Sequence, residues 1–222
     1  MEDFEGQSLD SLITANKLDI TDFLELAIQM AEALSALHRQ NVIHKSINPF
    51  NILWNPQIGK IKLTGFGLAT SLRKETQRVS KILEGTLDYI SPEQTGRINC
   101  QMDYRSDLYS LGATFYFMLI RTAPFVSSDP MELVHCHIAK TPSFPEKSPI
   151  SEESPIPEIL KQIILRLMEK NPKSRYQSAI SLKNDLEICK KQWLTSKIIS
   201  SFELGVADHF DRFEIPHKLY GR

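Results

Sequence analysis

Between Asp107 and Arg121 the chain carries a run of about 13 residues, Leu108 to Ile120, that is apolar apart from small residues, and this run constrains the fold most. It falls well short of the roughly 20 residues needed to cross a bilayer. Read with its flanks, it predicts a helix from about Tyr104 to Ile120 that is apolar on nearly all sides, which places it between other elements rather than on a surface. A helix of that kind needs amphipathic partners around it.

The partners are visible as three- and four-residue spacings. Thr21 is positioned to cap a helix carrying Phe23, Leu24, Ala27, Ile28, Ala31, Leu34 and Leu37, with Asp22 and Glu25 complementing its positive end. Asp129 opens a shorter pattern through Met131, Leu133, Val134 and Ile138. Pro157 suits the first turn of a helix with Ile159, Leu160, Ile163, Ile164, Leu167 and Met168 on one face, halted by Asn171-Pro172. Leu182, Leu186, Cys189 and Trp193 line the last clear helix. Two β-like runs, Asn51 to Trp54 and Lys60 to Leu63, flank the turn signal Asn55-Pro56-Gln57-Ile58-Gly59, so a hairpin is expected with Asn51 and Gly65 at the same end. The polar stretch Ser71 to Glu84 and the Pro/Ser/Glu-rich stretch Thr141 to Pro157 read as exposed loops.

Chemistry-bearing residues cluster in ordered motifs. Val42-Ile43-His44-Lys45-Ser46-Ile47-Asn48-Pro49-Phe50-Asn51 is followed by Ile61-Lys62-Leu63-Thr64-Gly65-Phe66-Gly67, then by Gly85-Thr86 to Pro92-Glu93, Asp107 to Gly112, and Asn171 to Arg175. In this order and spacing the motifs resemble those of eukaryotic-like Ser/Thr protein kinases. The resemblance covers about the first nine-tenths of the chain. It implies a mainly α fold with a small β-hairpin, a protein-kinase-like C-lobe. His44 opens the counterpart of the catalytic loop H-R-D-L-x-x-x-N, in which Ser46 stands where the catalytic aspartate belongs and Asn48 where most of these kinases carry lysine. Asn51 matches the second metal ligand. Gly65 replaces the aspartate of D-F-G that holds the metal. Thr86 and Glu93 belong to the activation segment, Arg175 matches the arginine that pairs with that glutamate, and Asp107 matches the residue that braces the catalytic loop.

Phosphoryl transfer depends on positioning and charge neutralisation, so the replaced positions have assignable roles. A carboxylate at 46 would accept the proton of the substrate hydroxyl, worth about 10²–10⁴-fold for a general base. Serine cannot do this, and glycine at 65 offers no oxygen to a hard cation. No G-x-G-x-x-G-x-V and no V-A-I-K is present, so the N-lobe half of a nucleotide cleft is missing from the sequence. ATP and Mg²⁺ are the family's cofactors; none is expected for this chain, with Asn51 a residual metal position. The expected function is a catalytically inactive signalling interaction or regulatory module. Two alternatives stand beside it: an ATP-dependent Ser/Thr kinase whose N-lobe is supplied elsewhere, and a truncated gene remnant. Lys45, where active kinases use arginine to grip a phosphorylated loop, is a poorer bidentate partner, so little control by loop phosphorylation is expected.

The loop H-K-x-I-N-P-x-N is similar to the kinase-like regions that open large bacterial multidomain sensor proteins ahead of an ATPase module. On that resemblance residues 1–9 are a hinge-like remnant, 10–194 the C-lobe, and 195–222 a linker or docking strip, and protein partners or downstream domains of a larger signalling protein are expected. The tail from Phe202 is expected not to fold alone. A net charge of −1 supplies no field to draw the chain to nucleic acid or an anionic membrane. Three scattered cysteines, Cys100, Cys136 and Cys189, suggest neither a disulfide framework nor a zinc knuckle, and a reducing cytoplasm is the simplest compartment. His135-Cys136-His137 is a poor metal motif, because residues two apart point to different sides of a helix. Arg73, Lys74, Arg78 and Lys81 read as a solvated loop face.

Overall fold

The computed structural model describes residues 4–15, 18–75, 85–145 and 155–209. In chain order these form β1 (Gln7–Ser8), α1 (Leu9–Ala15), α2 (Ile20–Arg39), β2 (Val42–Ile43), β3 (Ile52–Asn55), β4 (Lys60–Leu63), β5 (Thr70–Ser71), α3 (Leu72–Glu75), α4 (Arg105–Ile120), α5 (Pro130–Ala139), α6 (Glu158–Leu167) and α7 (Ala179–Ser196), with short 3₁₀ turns between them. The fold is helix-rich with a few antiparallel strands, as the periodicities predict.

Helix α4 is the axis of this arrangement. Every residue from Ser106 to Ile120 is buried. On one side Phe115 meets Phe23 of α2 edge to face, with ring centroids 5.5 Å apart. On another α6 approaches so closely that a Cβ added at Gly112 would lie 2.6 Å from the Leu167 Cβ and 3.0 Å from the Met168 Cγ. Glycine inside a helix ordinarily costs stability; here it sets the spacing of two helices. The long helices α2 and α7 pack along each other. Ion pairs Lys183–Glu32 (3.2 Å) and Lys190–Glu25 (3.1 Å) close their exposed edges, and the Trp193 indole donates to Thr21 Oγ1 at 3.3 Å.

The start of α2 differs from the expected cap. Asp19, not Thr21, is the N-cap: its carboxylate accepts the Asp22 N–H at 2.8 Å while the Asp22 carboxylate accepts the Asp19 N–H at 3.2 Å. A reciprocal box satisfies two otherwise orphaned donors, which a single threonine hydroxyl cannot do.

The expected hairpin forms from β3 and β4 with Ile52 opposite Leu63, and β1 adds a third antiparallel strand, Gln7 opposite Trp54. A second sheet pairs β2 with β5, Val42 opposite Ser71 and Ile43 opposite Thr70. The beginning of the expected exposed loop is therefore structured. Ser71 is paired and Glu75 is buried, because a strand 28 residues earlier supplies the partner, a contact that local polarity does not reveal. Residues 76–84, including Arg78 and Lys81, lie outside the described residues.

Helix α7 runs to Ser196, and the chain beyond it lies against the same body. Phe202 and Leu204 pack on the core, the Gly205 N–H donates to Asp185 Oδ2 at 2.7 Å, and Arg166 Nη1 donates to the Leu204 carbonyl at 2.5 Å. Residues 210–222 lie outside the described residues. Among the described residues no helix is long and apolar enough to cross a membrane.

Candidate functional site

The segment from His44 to Asn51 is held chiefly by one buried carboxylate. Asp107, in the first turn of α4, accepts the His44 N–H on Oδ2 and the Lys45 N–H on Oδ1, both at 2.8 Å. His38, near the end of α2, donates from Nε2 to the same Oδ2 at 3.0 Å. These bonds fix Lys45 in the left-handed region, φ 67°, where a side chain is sterically disfavoured. The Lys45 carbonyl is pinned as well, accepting from Gln94 Nε2 at 2.9 Å.

His44 joins this segment to the Gly65 turn. Its Nε2 lies 2.9 Å from the Thr64 carbonyl and must carry the proton, while Nδ1 accepts the Ser46 N–H at 3.3 Å. That is the neutral imidazole. Burial pushes its pKa below the ordinary histidine value, and the Asp107 charge only partly offsets this. The ring also packs on Phe66, centroids 4.6 Å apart.

Ser46, Asn48 and Asn51 form one hydrogen-bonded unit. Asn51 Nδ2 donates to the Ser46 carbonyl at 2.9 Å and to its hydroxyl at 3.0 Å. Asn48 Nδ2 reaches the same two oxygens at 3.1 and 3.3 Å, and Thr86 Oγ1 at 3.4 Å. Its Oδ1 caps the following 3₁₀ turn, accepting the N–H groups of Phe50 at 3.0 Å and Asn51 at 3.2 Å. Asn48 is thus committed at both ends of its amide to local architecture, and Thr86 is linked to it rather than facing outward alone. The hairpin brings Asn51 and Gly65 together as expected: the Thr64 N–H donates to the Asn51 carbonyl at 2.9 Å, and Gly65 adopts φ 77°.

A second buried network holds the segment ending at Glu93. Arg175 makes a bidentate pair with Glu93, 2.7 Å to Oε1 and 2.9 Å to Oε2, with both side chains essentially inaccessible. Ser106 donates to Glu93 Oε1 at 2.7 Å. The remaining guanidinium hydrogens go to the carbonyls of Glu169, Arg105 and Lys170 at 2.7, 2.9 and 3.3 Å. A desolvated ion pair needs this many satisfied partners to persist.

The structure therefore brings His44, Ser46, Asn48, Asn51, Gly65 and Thr86 into one site, and places Asp107, Glu93 and Arg175 behind it. Sequence reasoning did not anticipate His38, Ser106, Gln94 or Glu75. Glu75 lies 3.5 Å from Lys45 Nζ, both side chains buried. None of the four carries a local signal, since each acts on a partner distant in sequence; only the spacing of His38 before His44 hints at a shared role. His135 is exposed while Cys136 and His137 are buried, and no group of three metal-ligating side chains occurs among the described residues. His137 instead meets the Tyr109 hydroxyl at 3.0 Å. A separate cleft of about 730 Å³ lies behind the site, between α2, β2 and the start of α7, with His38 in its wall.

Against known families, residues 1–194 match the protein kinase domain. A probable serine/threonine-protein kinase of Clostridium perfringens is 35% identical over 97% of this chain and 30% of its own length. A hybrid signal transduction histidine kinase of Dictyostelium discoideum is 29% identical over 92% of this chain and 8% of its own. Histidine protein kinase 1 of Candida albicans is 29% identical over 86% of this chain and, again, 8% of its own. The chain thus spans less than a third of the first of these relatives and less than a tenth of the other two.

Proposed function

The chain belongs to the protein kinase family, and from that membership we propose that it acts as a C-terminal-lobe module without phosphotransferase activity, a binding or regulatory part of a larger signalling protein. The carrying observation is that the scaffold is kept while the reacting groups are not. Asp107, Glu93 and Arg175 have full sets of partners, yet the positions of the proton acceptor and the metal-holding carboxylate are Ser46 and Gly65.

ATP and Mg²⁺ serve the family, and the residues at this site do not fit the cation. A hard divalent ion needs several oxygen donors, preferably charged. Asn51 offers one neutral amide oxygen, Ser46 a hydroxyl already accepting two amides, and Gly65 nothing. The Lys45–Glu75 pair supports a fixed rather than phosphorylation-gated loop, because the side chain that would grip a phosphate already has a buried carboxylate. The two relatives of which this chain matches 8% bear signal-transduction or histidine-kinase names, which supports a place in a large, cytoplasmic, multidomain signalling protein with protein partners.

The second reading is an ATP-dependent Ser/Thr kinase completed by an N-lobe supplied elsewhere, favoured by the 35% identity to the Clostridium protein. Calorimetric titration with ATP, with and without Mg²⁺, separates the two. The proposal expects no Mg²⁺-dependent binding and no phosphate transfer to a generic protein substrate, with or without an added N-lobe. Mg²⁺-dependent saturation with transfer by the unaltered chain would overturn it. A gene remnant would aggregate on purification, whereas a module should remain monodisperse.

A further inference from the structure

We propose that Asn51 is an internal occupant of the corner between the Ser46 loop and the Gly65 turn, a positioning residue that ties the two together through its side-chain amide. The proposal rests on the non-catalytic reading of the site and deepens it.

The geometry is specific. The Asn51 carbonyl receives both the N–H and the hydroxyl of Thr64, at 2.9 and 3.2 Å, so the backbone at 51 is anchored to the residue preceding Gly65. The side chain turns the other way along the loop, both its contacts to Ser46 made through Nδ2. In this pose the carboxamide lies so near Gly65 that a Cβ added there would overlap the Cγ, Oδ1 and Nδ2 of Asn51. Any side chain at 65 evicts the amide from Ser46.

Glycine is therefore required at 65 twice over: for a backbone at φ 77° and for the space the carboxamide fills. It follows that positions 46, 51 and 65 are coupled. A carboxylate at 46 would give the Asn51 amide a stronger acceptor and hold it in the corner more firmly. A carboxylate at 65 would meet that amide sterically. Restoring the two family aspartates together thus sets them against each other unless Asn51 moves.

The test is a thermal-unfolding cycle over the full chain, Gly65→Ala, Asn51→Ala and the double variant. Gly65→Ala loses both amide bonds and adds backbone strain. In the Asn51→Ala background only the strain remains, so the two losses in Tm should fall short of additivity by about 4–8 °C. Additive losses would overturn the proposal. Should Gly65→Ala fail to fold, exchange of the Asn51 side-chain amide protons, identified by their loss in Asn51→Ala, decides: protection supports the assignment and solvent-like exchange overturns it. Mn²⁺ titration of the parent, expected to be silent at millimolar concentration, adds a third arm, because Mn²⁺ binding abolished by Asn51→Ala would make Asn51 a ligand and refute the proposal. A parent that transfers phosphate while the cycle still shows coupling would sink the functional reading alone, and an inactive parent with additive losses would sink only this one.

Discussion

Replacing Asp107 with asparagine keeps the volume and removes one acceptor oxygen, and the consequence can be worked from three bonds. The carboxylate accepts the His44 N–H and the His38 imidazole on one oxygen and the Lys45 N–H on the other. An amide can orient its oxygen to one side only. The opposing NH₂ then faces donors, leaving at least one buried N–H unpaired at about 1–3 kcal/mol and forfeiting a charge-assisted bond of about 1.5–3 kcal/mol. Lys45 also loses part of what holds it in the left-handed region. The sum is about 3–5 kcal/mol, a large share of the 5–15 kcal/mol typical of a folded domain. Urea unfolding of parent and Asp107→Asn at neutral pH measures it, and amide exchange should show His44 and Lys45 losing protection first. His38→Leu removes one of the three contacts and should cost less than half as much. A loss below about 1 kcal/mol for Asp107→Asn, with His44 and Lys45 still protected, would refute the view that this carboxylate holds the loop.

Three further outcomes are expected. His137 is fully buried, and burial with the nearby Lys170 charge lowers its pKa to about 4. The unfolded chain takes up this proton near pH 6.5 and the folded one only near 4, so the contribution is whole above about pH 6.5 and is lost as pH falls towards 4, at up to about 1.4 kcal/mol per unit. His137→Leu should flatten that slope in denaturation curves by one proton, and an unchanged slope counts against it. Gly112→Ala should destabilise by about 1–2 kcal/mol despite the better helix propensity of alanine, because α6 leaves no room; a rise in Tm would show that the helices can separate cheaply. Glu75→Gln should cost about 3 kcal/mol by stranding the Lys45 charge, while Lys45→Met with Glu75→Leu should cost less than either single change. Equal and additive costs in urea denaturation would show that the pair is not a unit.

What was legible in the sequence follows from what is local. The spacing along α2, α6 and α7 and the all-round apolar character of α4 announce the helices, since each burial pattern is written within one element. The turn between β3 and β4 gave the hairpin, and the hairpin gave the meeting of Asn51 with Gly65. The α2 cap was misplaced by two residues, because Asp19 and Asp22 satisfy each other and Thr21 had only its residue type to recommend it.

The motifs alone determined that Ser46 and Gly65 lack carboxylates, that Asp107, Glu93 and Arg175 are present to support them, and hence the family and the question of catalysis. Only the tertiary structure decided how the lost groups were replaced. His38 reaches Asp107 across 69 residues, Gln94 reaches Lys45 across 49, and Glu75 enters the core only because β5 pairs with β2. Whether the Asn51 amide faces outward or into the corner beside Gly65 depends on distances of a few tenths of an ångström between loops. Those distances are set by the packing around α4, a property of the whole body that no single segment encodes.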